Sequence, residues 1–334
     1  MEEFPLVRVG LVLLALIALV GMGDEILDRA RGASLPTPAQ AAAQADSADK
    51  GQDTRNSIAA LLGDETSNTA NCSFVQRPQR LPGDLPEASG SAPSLRTPGI
   101  VWVQNDSRGP FVYAVDAQGA LRGRVHVAGA TTTDWEDIAV QRCGAQSCLY
   151  VGDIGDNNAK RAGITIYRVP EPSPADTATA PAEAFPATYP DGAHDAEAMF
   201  VLPDGGVYVV TKGETGSAAL YRYPGPLRAG QSVQLVKVME LADAKLKRRL
   251  RFTGAAASPD GRWVAVRTLR SVHFFPAQEF IGGSVDHERG FDLTPLGEVQ
   301  GEGVGFGPNG TVVLTSEGGK KNIPGTIEAI RCSL

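Results

Sequence analysis

Short runs of apolar residues, many of them alternating with polar ones, recur between Gly, Pro and Asp along residues 71–334. β-Branched and aromatic residues predict strands at 101–103, 149–152, 207–210, 263–266 and 312–314. Further alternating strands follow at 111–115, 164–169 and 219–223. The 38 Gly and 23 Pro exceed the usual share of about 12% for these two residues. The pattern therefore predicts an all-β domain with many turns and few helices.

A short element repeats along this region and opens with an acidic residue in four of its five copies. The copies begin at Glu87, Glu136, Glu197, Thr253 and Glu302, at steps of 49, 61, 56 and 49 residues. Repeats of about 40–50 residues in WD40 and kelch proteins each form one four-stranded blade. The spacing predicts a five-bladed β-propeller over residues 71–334. A six-bladed propeller with one hidden unit is the alternative, and a β-sandwich is the runner-up architecture.

The fifth unit ends near Cys332, one strand short of a complete blade. We expect the missing outer strand to come from residues 72–75, because propellers close their ring in this way to avoid a free edge. That arrangement brings Cys72 beside Cys332 and predicts a disulfide. Cys143 and Cys148 enclose four residues that suit a hairpin tip, so a second disulfide is expected there. Free buried thiols are the alternative, and no pair has the CxxC spacing of a zinc site.

The sequence of the N-terminal region predicts a targeting segment followed by a linker. Residues 9–23 form an uncharged apolar run of fifteen, short for a membrane-spanning helix and suited to a signal sequence. We therefore expect residues 1–23 to be a hydrophobic helix that acts as a signal anchor or signal peptide and contacts the membrane. Residues 24–70 are rich in Ala, Gln, Ser and Pro, which predicts a disordered linker. Together with the four cysteines, this predicts an exported protein of the cell envelope, membrane-anchored or secreted.

Net charge excludes one class of partner. The chain carries 31 Lys+Arg against 38 Asp+Glu, a formal charge of -7, and no block of basic residues. Nucleic acid is therefore not expected to bind.

The acidic residues that open the repeats are the first candidate site. The innermost strand of each blade lines the central channel, so Glu87, Glu136, Glu197 and Glu302 should converge there, with Thr253 in the fourth position. Carboxylates facing one channel repel one another unless a cation neutralises them. Oxygen ligands suit Ca²⁺ or Mg²⁺, and Ca²⁺ is the expected cofactor. The alternative is that some of these glutamates cap backbone amides between blades and bind nothing.

A second layer of charged residues follows the second strands. Its members are Asp106, Asp153, Lys212, Arg267 and Glu317. They form either a ring of salt bridges or a site in which the two basic residues hold an anionic substrate against a metal.

Two acidic segments and one histidine complete the set of candidates. Asp153, Asp156 and Asn157 surround a glycine in the manner of a cation-binding loop, although the distal Glu of an EF-hand is missing. Asp137, a further candidate metal ligand, shares its segment with Trp135, which could pack between blades or stack on a ligand ring. His194 beside Asp195 is either a ligand-binding pair or a hydrogen-bonded structural pair.

No complete catalytic motif is present: the chain lacks a GxSxG elbow, a GxxxxGK[ST] loop and an HExxH sequence. The motifs EASG, NDS, DWEDIA, LYVGDIGDN, ITIYRV, HDAEAM, VTKG and EGVGF resemble those of a bacterial family of exported, largely uncharacterised β-propeller proteins, over residues 72–334. More distantly the chain is similar to phytase-like esterase propellers and six-bladed calcium-dependent hydrolases. In that comparison, metal ligands would match Glu87, Glu136, Asp153, Glu197 and Glu302, whereas Thr253 breaks the acidic pattern.

Three functions are compatible with these features. The first is a surface-tethered binding module that holds Ca²⁺ and a small ligand or protein partner at the channel mouth. The second is a metal-dependent hydrolase of a phosphoester, lactone or ester. The third is a structural propeller that presents its rim to other envelope proteins.

Overall fold

A computed structural model of the chain describes residues 68–319 and 323–334. The described residues form five antiparallel β-sheets, which are the five blades of a β-propeller. The expected N-terminal helix and most of the linker lie outside the described residues. Within the described part of the chain, no helix is long and apolar enough to cross a membrane.

Each blade has four antiparallel strands, which are consecutive in sequence in blades one to four, apart from the short β13. Blade one contains β2 (Ala88–Pro93), β3 (Ile100–Asn105), β4 (Phe111–Asp116) and β5 (Leu121–His126). Blade two contains β6 (Trp135–Cys143), β7 (Gln146–Asp153), β8 (Ile164–Pro170) and β9 (Glu183–Thr188). Blade three contains β10 (Ala196–Val201), β11 (Val207–Thr211), β12 (Ala218–Arg222) and β14 (Val236–Ala242). The short β13 (Val233–Gln234) pairs in parallel with β9 and extends blade two.

The last two blades complete the ring. Blade four contains β15 (Phe252–Ala257), β16 (Trp263–Thr268), β17 (Ser271–Pro276) and β18 (Arg289–Asp292). Blade five contains β19 (Gln300–Phe306), β20 (Thr311–Glu317), β21 (Thr326–Ser333) and β1 (Asn71–Arg80). The one regular α-helix in the described ranges, α1 (Ala277–Ile281), follows β17. The five innermost strands contact one another in cyclic order around the channel, so the prediction of five blades is confirmed.

Ring closure follows the predicted route. β1 comes from the start of the domain and pairs antiparallel with β21 from its end, with Cys72 opposite Cys332. These two residues are disulfide-bonded across a sequence separation of 260. The second predicted disulfide, Cys143–Cys148, lies at the tip of the β6–β7 hairpin. Because such bonds persist in oxidising compartments, both indicate folding outside the reducing cytosol.

The hydrophobic core is distributed between neighbouring blades. Strand alternation gives each blade two faces, and each face packs against the next blade. Phe200 of blade three, for example, packs with Phe280 and Val266 of blade four in one buried cluster. This packing leaves the start of each innermost strand free to present polar groups to the channel.

Candidate functional site

A β-bulge at the start of every innermost strand turns one side chain toward the channel. Strand pairing skips Glu136 in β6, Glu197 in β10 and Thr253 in β15. The same irregularity covers Glu302 in β19. A bulge inserts one extra residue and re-aims its side chain, which explains why a polar residue recurs at this point of an otherwise apolar strand.

Blade one departs from the predicted pattern. Its bulge lies between Ala88 and Ser91, so Ser89 occupies the position of the glutamates, and Glu87 precedes the strand at the rim. The sequence Ser89-Gly90 matches Thr253-Gly254 more closely than it matches an acidic pair, and this match was missed in the sequence. Both hydroxyl residues bond to the next blade: Ser89 Oγ donates to the carbonyl oxygen of Glu136 at 2.5 Å, and Thr253 Oγ1 contacts that of Glu302 at 3.3 Å.

Asp137 closes the channel below this ring. Its Oδ2 accepts the backbone N–H of Met199 at 2.8 Å and of Ala255 at 3.0 Å, so it ties blade two to blades three and four. A Cβ added at Gly90 of blade one would lie 2.6 Å from Asp137 Oδ1. Burial raises the pKa of Asp137 to about 8, although the three backbone N–H groups that donate to it act in the opposite direction. Asp137, predicted as a metal ligand, therefore acts as an internal cap of backbone amides.

Seven carboxyl groups gather above Asp137, around the ammonium group of Lys212. This set, the channel cluster, consists of Asp106, Asp134, Glu136, Asp195, Glu197, Glu302 and Glu317, with Lys212. Lys212 interacts electrostatically with six of the seven, all except Asp106. The predicted convergence of acidic residues on the channel is therefore present. Asp134 was not singled out from the sequence as a site residue.

Lys212 is held by direct ion pairs. Its Nζ contacts Glu197 Oε1, Glu214 Oε2 at 3.3 Å and Asp195 Oδ2 at 3.8 Å. Burial lowers the pKa of Lys212, but Glu197 and its neighbours outweigh this and raise it above the usual value. Asp195 Oδ2 is buried and has no hydrogen-bond donor among the described residues. The ammonium group of Lys212 is therefore shared as an ion-pair partner by three carboxylates.

Several carboxyl groups of the channel cluster hold protons unusually strongly. Burial, followed by repulsion from neighbouring carboxylates, raises the pKa of Glu136 and Glu302 well above the usual range. Burial likewise raises the pKa of Glu197 to about 8 and that of Glu317 to about 7. The pKa of Asp106 rises to about 6 for the same reason, with Glu87 adding to it. A buried negative cluster of this kind needs either bound protons or bound cations.

Three further acidic residues at the mouth are paired with arginines. Arg108 Nε contacts Glu87 at 3.1 Å, Arg161 Nη2 contacts Asp153 at 2.8 Å, and Arg251 Nη1 contacts Glu214 at 2.6 Å. These pairs neutralise acids at the edge of the cluster and leave its centre to Lys212.

The loop that contains Asp153, Asp156 and Asn157 has its carboxylates turned toward backbone amides. Asp153 accepts the N–H groups of Thr133 and Asp134, and Asp156 Oδ2 accepts those of Lys160 and Arg161. Asn157 Nδ2 lies 3.4 Å from Asp134 Oδ2. This arrangement favours the polar turn over the cation loop. A Cβ at Gly155 would collide with the carboxylates of Glu136 and Asp134, so the glycine permits their close approach.

The aromatic and histidine candidates are placed beside the cluster. Trp135 is fully buried, donates Nε1–H to the carbonyl of Thr131 at 2.9 Å and packs on Tyr167, which favours the packing role. His194 Nε2 lies 2.9 Å from Asp191 Oδ1 and 3.1 Å from the Tyr221 hydroxyl. These contacts favour a hydrogen-bonded structural role for His194.

Arg267, expected in the second charged layer, forms a buried ion pair with Glu298 instead. It is fully buried, and its Nη2 lies 2.5 Å from both carboxylate oxygens of Glu298. Its Nη1 donates to the carbonyls of Gly303 and Thr315. Because Arg267 pairs with Glu298 and Asp153 pairs with Arg161, the five residues do not form one continuous ring of salt bridges.

A Ser–His–Glu chain lies in blade four, outside the channel cluster. Ser271 Oγ is 2.8 Å from His273 Nε2, and His273 Nδ1 is 2.5 Å from Glu288 Oε1. Ser271 is 1% exposed and also shares a hydrogen bond with the hydroxyl of Thr268. This Ser–His–Glu hydrogen-bond network is therefore inaccessible to substrate and stabilises the β16–β17 hairpin.

A cavity of about 180 Å³ opens beside the channel cluster. Glu197, Glu302 and Lys212 form one wall, and Arg248, Arg251 and Glu214 are also part of its lining. Arg248 and Arg251 belong to the connection between blades three and four and were not identified from the sequence.

The fold defines the chain as a member of the β-propeller class of proteins. No protein-family model matches the chain. No curated protein sequence matches it either.

Three solved structures illustrate the structural likeness. The PQQ-bound aldose sugar dehydrogenase of Streptomyces coelicolor is 12% identical, with a TM-score of 0.49 over 80% of this chain and 99% of that one. A gluconolactonase of Xanthomonas campestris is 13% identical, with a TM-score of 0.41 over 74% and 72%. A glucose dehydrogenase is 11% identical, with a TM-score of 0.45 over 79% and 100%.

Proposed function

We propose that this protein is an envelope-tethered binding module whose acidic channel holds a divalent cation, Ca²⁺, together with a small ligand or a protein partner. The observation that carries the proposal is the channel cluster, in which the ammonium group of Lys212 interacts with six of the seven buried or partly buried carboxyl groups. Two like charges about 4 Å apart repel by about 4 kcal/mol at an effective dielectric constant of 20. Seven ionised carboxylates around one ammonium would therefore be strongly destabilising without further positive charge.

The donor set fits a hard cation. Carboxylate oxygens are the ligands that Ca²⁺ and Mg²⁺ prefer, and Ca²⁺ accepts six to eight of them in flexible geometry. The Lys212 ammonium marks the point at which the cluster favours positive charge. No group of three or more ligating side chains in the described ranges is already arranged around a metal position. Cation binding would therefore require the Lys212 amine to move aside, and Asp195 Oδ2 is available as a donor atom.

Tethering to the envelope is the second part of the proposal. It rests on the apolar run at residues 9–23, which lies outside the described residues, and on the two disulfides of the propeller. In this arrangement the propeller would face an oxidising space with its channel mouth open to ligands.

Calorimetric titration of Ca²⁺ into the chelator-treated protein tests the cation site. Glu136→Gln and Glu302→Gln remove one negative charge each and should weaken Ca²⁺ binding by about tenfold or more, equivalent to about 1.4 kcal/mol. Glu279→Gln, at an exposed residue paired with His287, is the matched control. Absence of a Ca²⁺ heat signal, together with unchanged metal content and melting curve after chelation, would reject the proposal.

A metal-dependent hydrolase of phosphoesters, lactones or esters is the second candidate. The specific observation in its favour is that Glu302, whose pKa is raised well above the usual range, lines an open cavity. A carboxyl group that is still protonated near neutral pH can serve as a general acid. Turnover of a panel of such substrates, lost on chelation and in Glu302→Gln, would support it, and no turnover of any of them would reject it.

A further inference from the structure

The cavity at the channel mouth has a basic side as well as an acidic one. Glu197 and Glu302 contribute carboxyl groups, whereas Arg248 and Arg251 contribute guanidinium groups. Together with Lys212 and Glu214, the charged lining comprises three acids and three bases. A ligand that carried only positive charge would face two guanidinium groups, of which that of Arg251 is paired with Glu214.

The two arginines have unused hydrogen-bond donors. Arg248 is exposed, and its Nη2 donates to Gln300 Oε1 at 3.2 Å. Arg251 pairs with Glu214 through Nη1, but its buried Nε has no partner among the described residues. A guanidinium group presents five N–H donors in a planar fork that matches carboxylate and phosphate oxygens. These donors therefore suit an anion.

The remaining lining restricts the kind of ligand. Among the described residues that line this cavity, Leu269 is the apolar one and none is aromatic. Sugar rings and nucleobases therefore have no flat side chain on which to stack in this cavity. The volume of about 180 Å³ accommodates an oxyanion beside a cation.

We propose that the mouth cavity binds an oxyanion group, a carboxylate or a phosphate-type group, which Arg248 and Arg251 hold beside the cation of the channel cluster. This inference rests on the proposed binding function and names the chemical class of its ligand. A cation held by the carboxylates of the cluster would attract the bound anion, so each should strengthen the binding of the other. Arg248 and Arg251 take the anion-holding role that one of the two sequence-based alternatives gave to Lys212 and Arg267.

The test is calorimetric titration of the full chain with methylphosphonate and, separately, with acetate, each with and without Ca²⁺. We expect at least one of the two anions to bind, and to bind more tightly when Ca²⁺ is present. Arg248→Ala should weaken that binding about tenfold or more, in line with the loss of a charge-assisted hydrogen bond. Arg248→Lys should recover part of it. Arg262→Ala, at an exposed arginine whose nearest acidic partner is 4.0 Å away, is the matched control.

The outcomes separate this inference from the proposed function. Ca²⁺ binding without binding of either anion would overturn the inference and leave the cation site standing. Anion binding that Arg248→Ala does not change would overturn it as well. Arg248-dependent anion binding without any Ca²⁺ binding would support the anion site and reject the cation. Comparison of the two anions identifies the ligand as phosphate-type or carboxylate.

Discussion

Asp137 accepts the backbone N–H of Ala255 at 3.0 Å, although the two residues belong to blades that are not neighbours. The same carboxylate oxygen accepts the N–H of Met199 in the blade between them. A buried acceptor shared by several strands fixes their relative positions, because each N–H would otherwise be left unpaired. This single side chain therefore fixes the relative positions of three innermost strands around the channel.

Asp137→Ala should destabilise the domain strongly. The change removes the acceptor of three backbone N–H groups, each worth about 1–3 kcal/mol when left buried and unpaired. Urea unfolding should therefore show a loss of about 3 kcal/mol or more. Asp204→Ala, at an exposed turn residue that accepts one N–H of Gly206, should cost under about 1 kcal/mol. Equal losses in the two variants would contradict the role assigned to Asp137.

The two disulfides should differ in their contribution to stability. The chain-entropy model gives about 5 kcal/mol for the loop closed by Cys72–Cys332 and about 2 kcal/mol for the short loop of Cys143–Cys148. Replacing both cysteines of the long-range pair by serine should therefore lower the melting temperature more than the same change in the hairpin pair. Differential scanning calorimetry of the two double variants would decide, and a larger effect at the hairpin would refute the expected order.

In metal-free buffer the stability of the domain should fall as pH rises. The pKa values of Glu197, Glu317 and Asp106 lie at about 8, 7 and 6 in the folded protein because burial disfavours their charged forms. Unfolded carboxyl groups lose their protons near pH 4, so the folded state binds more protons between about pH 4 and 8. The free energy of unfolding therefore decreases across this window, despite the favourable charge of Lys212.

Urea unfolding across that pH range in a chelator measures the slope. Glu197→Gln should flatten it, whereas Glu183→Gln, at a half-exposed residue paired with Arg168, should not. Added Ca²⁺ should oppose the decline at high pH, because a bound cation replaces the lost protons. A slope that is flat or of opposite sign would show that the carboxyl groups are not protonated as inferred.

The buried Ser271–His273–Glu288 chain should matter for stability and not for turnover. His273→Ala leaves the Ser271 hydroxyl and the Glu288 carboxylate without their partner, at a cost of about 1–3 kcal/mol. The double variant with Ser271→Ala should cost less than the sum of the single variants, because the residues share one network. A fluorophosphonate probe that labelled Ser271 in the native protein would contradict this structural role.

The sequence predicted the blades well because the signals that define them are local. Strand alternation and Pro-Asp-Gly turns lie within short windows, and the closing disulfide followed from counting strands in the last blade. The exact members of the channel ring were harder to predict. Glu87 has the right residue type, but the bulge of blade one falls at Ser89, and bulges are set by pairing with the second strand.

The hydrogen-bond and ion-pair partners of the candidate site residues could not be inferred. The sequence placed Arg267 in the channel. In the structure it instead contacts Glu298, which is 31 positions away in sequence. Asp153 and Asp156 had the composition of a cation loop, yet their oxygens are turned to nearby amides. Arg248 and Arg251 carry no motif, and only the folding of the connection between blades three and four brings them to the channel mouth.

The origin of β1 and β21 at opposite ends of the domain has a consequence for biosynthesis. When the chain leaves the ribosome or an export channel, β1 emerges first and must wait about 250 residues for the strand that pairs with it. Until then the Cys72 thiol has no correct partner and the outer edge of the last blade is missing. A nascent chain that stops short of β21 would therefore be an open arc, and the ring can close only after β21 has been translated.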